Sequence, residues 1–226
     1  DAPKPRGYLP IDGVAAYDSA VKGLVFGADS EPVTSGRAVT VQGIGGTGGL
    51  KIGADFLKKL SPNAKVMISD PSWENHRALF QNAGFEVESY TYYDAAARGV
   101  NFDGMLASLN AAAAGTIVVL HACCHNPTGY DITAAQWDQV VEVVKARKLT
   151  PFLDMAYQGF GYGIEQDGAV IGKFVAAGLS FFVSTSFSKS FSLYGERVGA
   201  LTVLCESKEE ASRVLSQLKI CIRTNY

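Results

Sequence analysis

The sequence predicts an α/β fold, a mainly parallel sheet flanked by helices. Three observations carry that reading. Short apolar runs alternate with longer helical patterns almost from end to end, as strand–helix–strand units require. Most of the apolar runs are continuous rather than alternating, the pattern of strands buried on both faces. No internal repeat or interdomain linker interrupts the order, so one domain over residues 1–226 is expected.

Taken in order, Pro5 and Pro10 flank Tyr8 and suggest an extended segment that runs across a surface. A first helix is expected over residues 12–23 and a first strand over 38–42. The stretch Gly43-Ile-Gly-Gly-Thr-Gly48 follows and opens a helix. A second strand covers 65–69, after which Asp70-Pro71 opens a helix in cap-then-proline order. Strands are then expected over 86–93 and 116–121, with a helix ending in the alanines at 111–114. Thr133 and Gln136 form a capping box for a helix at 134–148, whose Trp137, Val140, Val141 and Val144 make one apolar stripe. Strands at 151–154, 181–184 and 200–205 complete the sheet. A second capping box, Ser207 and Glu210, starts the last helix.

Composition narrows the function. Hydrophobic residues make up 47% of the chain, enough to fill a sizeable core. Twenty basic and 22 acidic residues are well mixed, with a formal charge of −2. That balance gives no reason to expect nucleic acid or a charged membrane surface as partner. No apolar run approaches the ~20 residues that span a bilayer, and residues 1–5 lack a signal-peptide layout. Cys123, Cys124, Cys205 and Cys221 fit neither a disulfide framework nor a C-x-x-C motif. Reduced thiols in a cytoplasmic protein are expected. Without an initiating Met or a cap after Tyr226, the chain reads as part of a longer protein.

In parallel sheets, ligands bind beyond the C-terminal strand edge, so residues just after each strand matter most. The first is the glycine stretch, which matches G-x-G-x-x-G; with Asp70 ending the next strand it supports a nicotinamide-dependent dehydrogenase. Read more cautiously, its glycines let backbone amides approach some phosphate at a helix N-terminus, as in a non-catalytic phosphate-ligand domain. Lys189 lies between Phe187 and Phe191, among the hydroxyls of Ser186, Ser188 and Ser190, with Arg197 eight residues on. A lysine in semi-apolar surroundings loses its proton more readily, as Schiff-base chemistry needs, while hydroxyls and a guanidinium suit a phosphate dianion. Ser186-Phe-Ser-Lys189 also fits S-x-x-K, but S-D-N and K-T-G are absent. Asp154, at an apolar strand end, must be paired or neutralised, and a pyridinium N–H would serve. Trp73, His76 and Asn126 are each ambiguous between core or turn roles and a site. His121, Cys123, Cys124 and His125 raise the question of a metal, but adjacent cysteines make poor ligand geometry and none is expected.

With these residues in view, the chain resembles the class I aspartate and aromatic aminotransferases of fold type I, which use pyridoxal 5'-phosphate. The motifs that carry the resemblance occur in order: Gly45-Gly-Thr-Gly48, Asp70-Pro-Ser-Trp-Glu-Asn-His76, His121-Ala-Cys-Cys-His-Asn-Pro-Thr-Gly129, Asp154-Met-Ala-Tyr-Gln-Gly-Phe160 and Ser186-Phe-Ser-Lys-Ser-Phe-Ser-Leu-Tyr-Gly-Glu-Arg197. The last is similar to the bacterial aromatic (tyrosine) branch. The resemblance implies the large cofactor-binding domain, with the N-terminal arm and the C-terminal small domain outside this chain. It implies that Lys189 carries the cofactor covalently and moves a proton, and that Asp154, with His76 behind it, keeps the pyridine nitrogen protonated. Trp73 would stack on the ring, and Asn126 and Tyr157 would bond its phenolic oxygen. Gly46, Thr47, Ser186, Ser188 and Arg197 would bind the phosphate. Tyr8 would reach the phosphate of the other subunit in a homodimer. The implied substrates are an aromatic or dicarboxylic amino acid and a 2-oxo acid such as 2-oxoglutarate.

Overall fold

A computed structural model of the chain describes residues 7–226, so Pro5 lies outside the described residues. The chain runs through α1 (Ala15–Phe26), α2 (Glu31–Thr34), β1 (Ala38–Ile44), α3 (Gly45–Leu60), β2 (Val66–Asp70), α4 (Glu74–Asn82) and β3 (Val87–Thr91). The short pair β4 (Tyr93–Asp94) and β5 (Gly99–Val100) precedes α5 (Phe102–Ala111), β6 (Ile117–His121), α6 (Ala134–Arg147) and β7 (Thr150–Met155). Then come α7 (Ile164–Ala176), β8 (Phe181–Ser186), β9 (Val198–Leu204) and α8 (Lys208–Arg223).

Seven strands form one sheet in the order β1-β9-β8-β7-β6-β2-β3. Only β9 runs against its neighbours, so the sheet is mainly parallel, as expected. The continuous apolar runs have the predicted cause. In β6, Val118 and Leu120 pack with α5, α6 and α7 on one face. Ile117 and Val119 pack with α3, α4 and α8 on the other. Each strand therefore buries both its odd and its even residues.

Several local expectations need correction. The first helix starts at Ala15 rather than residue 12, because the chain is first tied to β1. Gln42 N–H donates to the Asp12 carbonyl (2.8 Å) and Val14 N–H to Gln42 Oε1 (3.1 Å). Gly43 belongs to β1, and α3 begins at Gly45 with no intervening loop. Asp70-Pro71 does not cap α4. Residues 71–73 lie ahead of the helix, and Trp73, with φ −58° and ψ 123°, is its N-cap. The strand expected over 86–93 ends at Thr91 and resumes as the small β4–β5 hairpin. Thr133 and Gln136 make both bonds of a capping box. At α8 only half of it forms, because Glu210 accepts from Glu206 N–H rather than from Ser207.

Candidate active site

Register builds the site. His121, Asp154 and Ser184 stand opposite one another on β6, β7 and β8. The segments leaving these parallel strands therefore meet at one sheet edge, and α3 begins at the same edge because β1 ends there. They enclose a cavity of about 230 Å³ lined by Gly46, Thr47, Trp73, Asn126, Asp154, Tyr157, Ser186, Ser188, Lys189 and Arg197. Of the residues that the resemblance assigns to the cofactor, only His76 and Tyr8 are absent from its lining.

The dehydrogenase reading fails on topology. A ribose-binding acid must end the strand next to the glycine-bearing one, yet four strands separate β1 from β2. Asp70 is therefore remote from Gly43–Gly48.

At one end of the cavity is a buried acid. Asp154 is 5% exposed, and its Oδ2 lies 2.7 Å from Nε2 of fully buried His76. His76 Nδ1 in turn lies 2.9 Å from Ser72 Oγ, a contact that the extended approach to α4 allows. Burial pushes the Asp154 carboxyl up. The hydrogen bond and charge of His76, with the charge of Lys189, outweigh it and hold the group below the usual carboxylate range. Asp154 is thus a permanent buried anion, with His76 supporting one oxygen. Trp73 flanks this end, its ring edge-on to His76 at 5.3 Å.

The other end suits a polyanion. The N-terminus of α3 has no side-chain cap, leaving first-turn amides open to a ligand. Gly46 is required there: a Cβ would lie 2.9 Å from that of Ser186. Gly45, at φ +70°, gives room to Arg197, whose Nη2 would be 2.7 Å from any Cβ. Arg197 Nη1 donates toward Ser188 Oγ (3.4 Å) and to the Tyr194 carbonyl (3.1 Å). Amides, hydroxyls and one guanidinium therefore share a small volume, the donor set a phosphate needs.

Lys189 lines the same cavity. Of its apolar neighbours in the chain, Phe187 is buried and Phe191 is 66% exposed. The Lys189 Nζ sits 4.6 Å from the ring centre of Tyr157.

Other residues were missed or misread. His121 lines the cavity, and neither ring nitrogen has a hydrogen-bond partner. Burial, helped by His76, lowers its pKa to about 4, so it is neutral at neutral pH. His125 is structural: its nitrogens meet Ser69 Oγ and Thr128 Oγ1, each at 2.8 Å. Asp131 accepts from Cys124 and His125 N–H and so shapes the turn that presents Asn126. Its spacing gave no signal, since an acid six residues downstream is ordinary in a loop. The histidines and cysteines weighed as metal ligands fall into separate groups, His121 beside His76 and Asp154, and the two cysteines beside Asp167. The Asp167 oxygens already accept from Gly159, Gly161 and Tyr162 amides. Burial raises both thiol pKa values.

Tyr8 is 90% exposed and lies outside the cavity of its own chain. Its ring packs edge-on to Tyr226 at 6.4 Å and near the Arg223 guanidinium at 5.9 Å. Arg223 carried no signal in the sequence, because only the fold brings the end of α8 beside residue 8.

A buried anion, an aromatic wall, a lysine and a set of phosphate donors thus share one cavity. The chain belongs to the family of class I and II aminotransferases, whose profile matches residues 1–226. It is 64% identical over 226 residues to an aspartate aminotransferase of Pseudomonas aeruginosa, covering all of this chain and 57% of that protein. It is 55% identical over 219 residues to the aromatic-amino-acid aminotransferase of Escherichia coli, covering 97% of this chain and 55% of that one. The crystal structure of an aromatic-amino-acid aminotransferase from Burkholderia pseudomallei, covalently bound to pyridoxal phosphate, superposes with a TM-score of 0.98 at 70% identity. All of this chain and 56% of that one are covered. The chain thus spans a little over half the length of these relatives.

Proposed function

We propose that the protein is a pyridoxal-phosphate aminotransferase that moves the amino group of an aromatic or dicarboxylic amino acid to a 2-oxo acid such as 2-oxoglutarate, and that residues 1–226 are its cofactor-binding large domain. The observation that carries this reading is the convergence in one cavity of Lys189, the Asp154–His76 pair and the donor cup at the start of α3. The names of the relatives, aspartate and aromatic-amino-acid aminotransferases, support the substrate classes. A direct assay tests it: full-length protein should form glutamate from 2-oxoglutarate when supplied with aspartate, tyrosine or phenylalanine. No glutamate with any of them would overturn the reading and favour a non-catalytic ligand domain.

When bound, pyridoxal phosphate supplies a conjugated, electron-accepting ring that stabilises negative charge at the substrate α-carbon. The residues divide the remaining work. Asp154 keeps a positive charge on the pyridine nitrogen, because a buried anion is stable only beside a cation or donor. His76 donates to Asp154 Oδ2 and fixes its orientation. Trp73 would cover one face of the ring, while Asn126 and Tyr157 would bond its phenolic oxygen. Gly46 and Thr47 amides, the Ser186 and Ser188 hydroxyls and Arg197 would anchor the phosphate. Lys189 Nζ would hold the cofactor covalently and, when free, would take the proton from the substrate α-carbon and deliver it to the cofactor carbon that bore the aldehyde.

The functional unit is a homodimer with shared sites. Tyr8 is exposed and far from its own cavity, so its hydroxyl is free to bond the cofactor phosphate of a partner subunit. Arg223 lies against the same ring, 5.9 Å from its centre, and would be carried to the same place. Loss of one hydrogen bond to a charged acceptor, worth ~1.5–3 kcal/mol, makes Tyr8→Phe retain cofactor roughly ten- to hundredfold more weakly. Mixing Tyr8→Phe with Lys189→Ala subunits tests the sharing. One site of the hybrid regains both groups, so tight binding returns at half the sites. No recovery despite confirmed subunit exchange would refute a shared site. Among the described residues no helix is long and apolar enough to cross a membrane, and we place the enzyme in the cytoplasm.

A further inference from the structure

We infer that Ser184 is a positioning residue for the anion-binding end of the cavity, acting through the peptide that presents the Thr47 amide. The inference rests on the phosphate reading proposed above. Ser184 is the fourth residue of β8, is 1% exposed and touches the helix rather than the cavity. Its Oγ donates to the Gly46 carbonyl at 2.8 Å.

That oxygen belongs to the same planar peptide unit as Thr47 N–H, on the opposite side of the C–N bond. A hydrogen bond to the oxygen draws electron density through the conjugated unit and strengthens the N–H as a donor. The Gly46 carbonyl lies in the first turn of α3, where no side chain caps the helix. Ser184 therefore polarises a group facing the phosphate without touching the ligand itself. It also joins the two halves of the cup. One half is the start of α3; the other is the continuation of β8 through Ser186, Ser188 and Lys189. The β1–β9–β8 ladder and the Gly45 N–H bond to the Arg197 carbonyl (2.8 Å) hold the two halves from below. The Ser184 bond ties β8 itself to the first turn of α3.

The bland alternative is that Ser184 merely satisfies a buried hydroxyl. Comparing pyridoxal phosphate with pyridoxal, which lacks the phosphate, separates the two in the full-length protein. Ser184→Ala and Ser184→Cys should each weaken retention of pyridoxal phosphate about three- to tenfold while pyridoxal binding changes less than about twofold. The cysteine variant keeps a side chain of similar shape with only a weak donor, so it controls for a packing defect. Equal losses for the two cofactors, or no loss for pyridoxal phosphate, would overturn the inference. Unmodified protein that holds both cofactors alike would overturn the phosphate reading itself, and Ser184's role with it.

Discussion

Lys189→Ala is expected to lower kcat on the order of 10⁴-fold or more, the largest effect of any single change in this protein. Two functions are lost together: the covalent hold on the cofactor and the base that moves the α-carbon proton. General acid–base catalysis alone contributes about 10²–10⁴-fold, and loss of covalent attachment adds to it. The cavity offers no substitute. The other titratable side chains that line it are His121, Asp154, Tyr157, Tyr194 and Arg197. His121 is a weak base, its pKa lowered to about 4 by burial, and lacks the reach of a lysine stem; Asp154 is committed to His76, and Arg197 donates to the Tyr194 carbonyl. Borohydride reduction of the full-length protein, followed by peptide mapping, should place the cofactor on Lys189. Label on another lysine would displace Lys189 from this role.

Asp154→Asn should retain cofactor yet reduce kcat by about a hundredfold or more. Asparagine fills the same space at the end of β7, and its amide can still meet His76. What disappears is the charge that keeps the pyridine nitrogen protonated. Breaking such a buried pair costs ~3–5 kcal/mol, which at the transition state corresponds to that loss of rate. The structure makes Asp154 suited to the part: it is almost completely buried, and His76 and neighbouring positive charge hold it ionised against its own desolvation. A near-normal kcat in the variant, with cofactor bound, would show that the carboxylate only supports the strand end.

Much of this was legible in the sequence, and its limits have physical causes. All seven strands of the sheet were found, most of them because continuous apolar runs report burial on both faces, a local property; β3, Val-Glu-Ser-Tyr-Thr, is the half-buried exception. The residues Lys189, Asp154, Trp73 and Asn126 stood out because ligands gather at strand ends, and each follows a strand. Where a helix begins was less legible. Asp70-Pro71 has the composition of a helix start, yet tertiary contacts of Ser72 and Trp73 delay the helix to Glu74. Glu210 likewise found a partner one residue earlier than its spacing suggested.

The glycine stretch shows the boundary most clearly. Alone it read equally well as a dinucleotide fingerprint, since any phosphate at a helix N-terminus needs the same backbone. Strand order decided the matter, and strand order is a global property that no local pattern encodes. The same holds for Ser184, Asp131 and Arg223, whose roles depend on groups 138, 7 and 215 residues away in the chain, as their contacts with Gly46, Cys124 and Tyr8 show. The sequence by itself determined the class of fold, through composition and short-range spacing, and its ordered motifs carried the family resemblance that implies the cofactor and points to Lys189. Only the tertiary structure decided which groups stand behind them, because hydrogen bonds and charges act over a few ångströms whatever the separation along the chain.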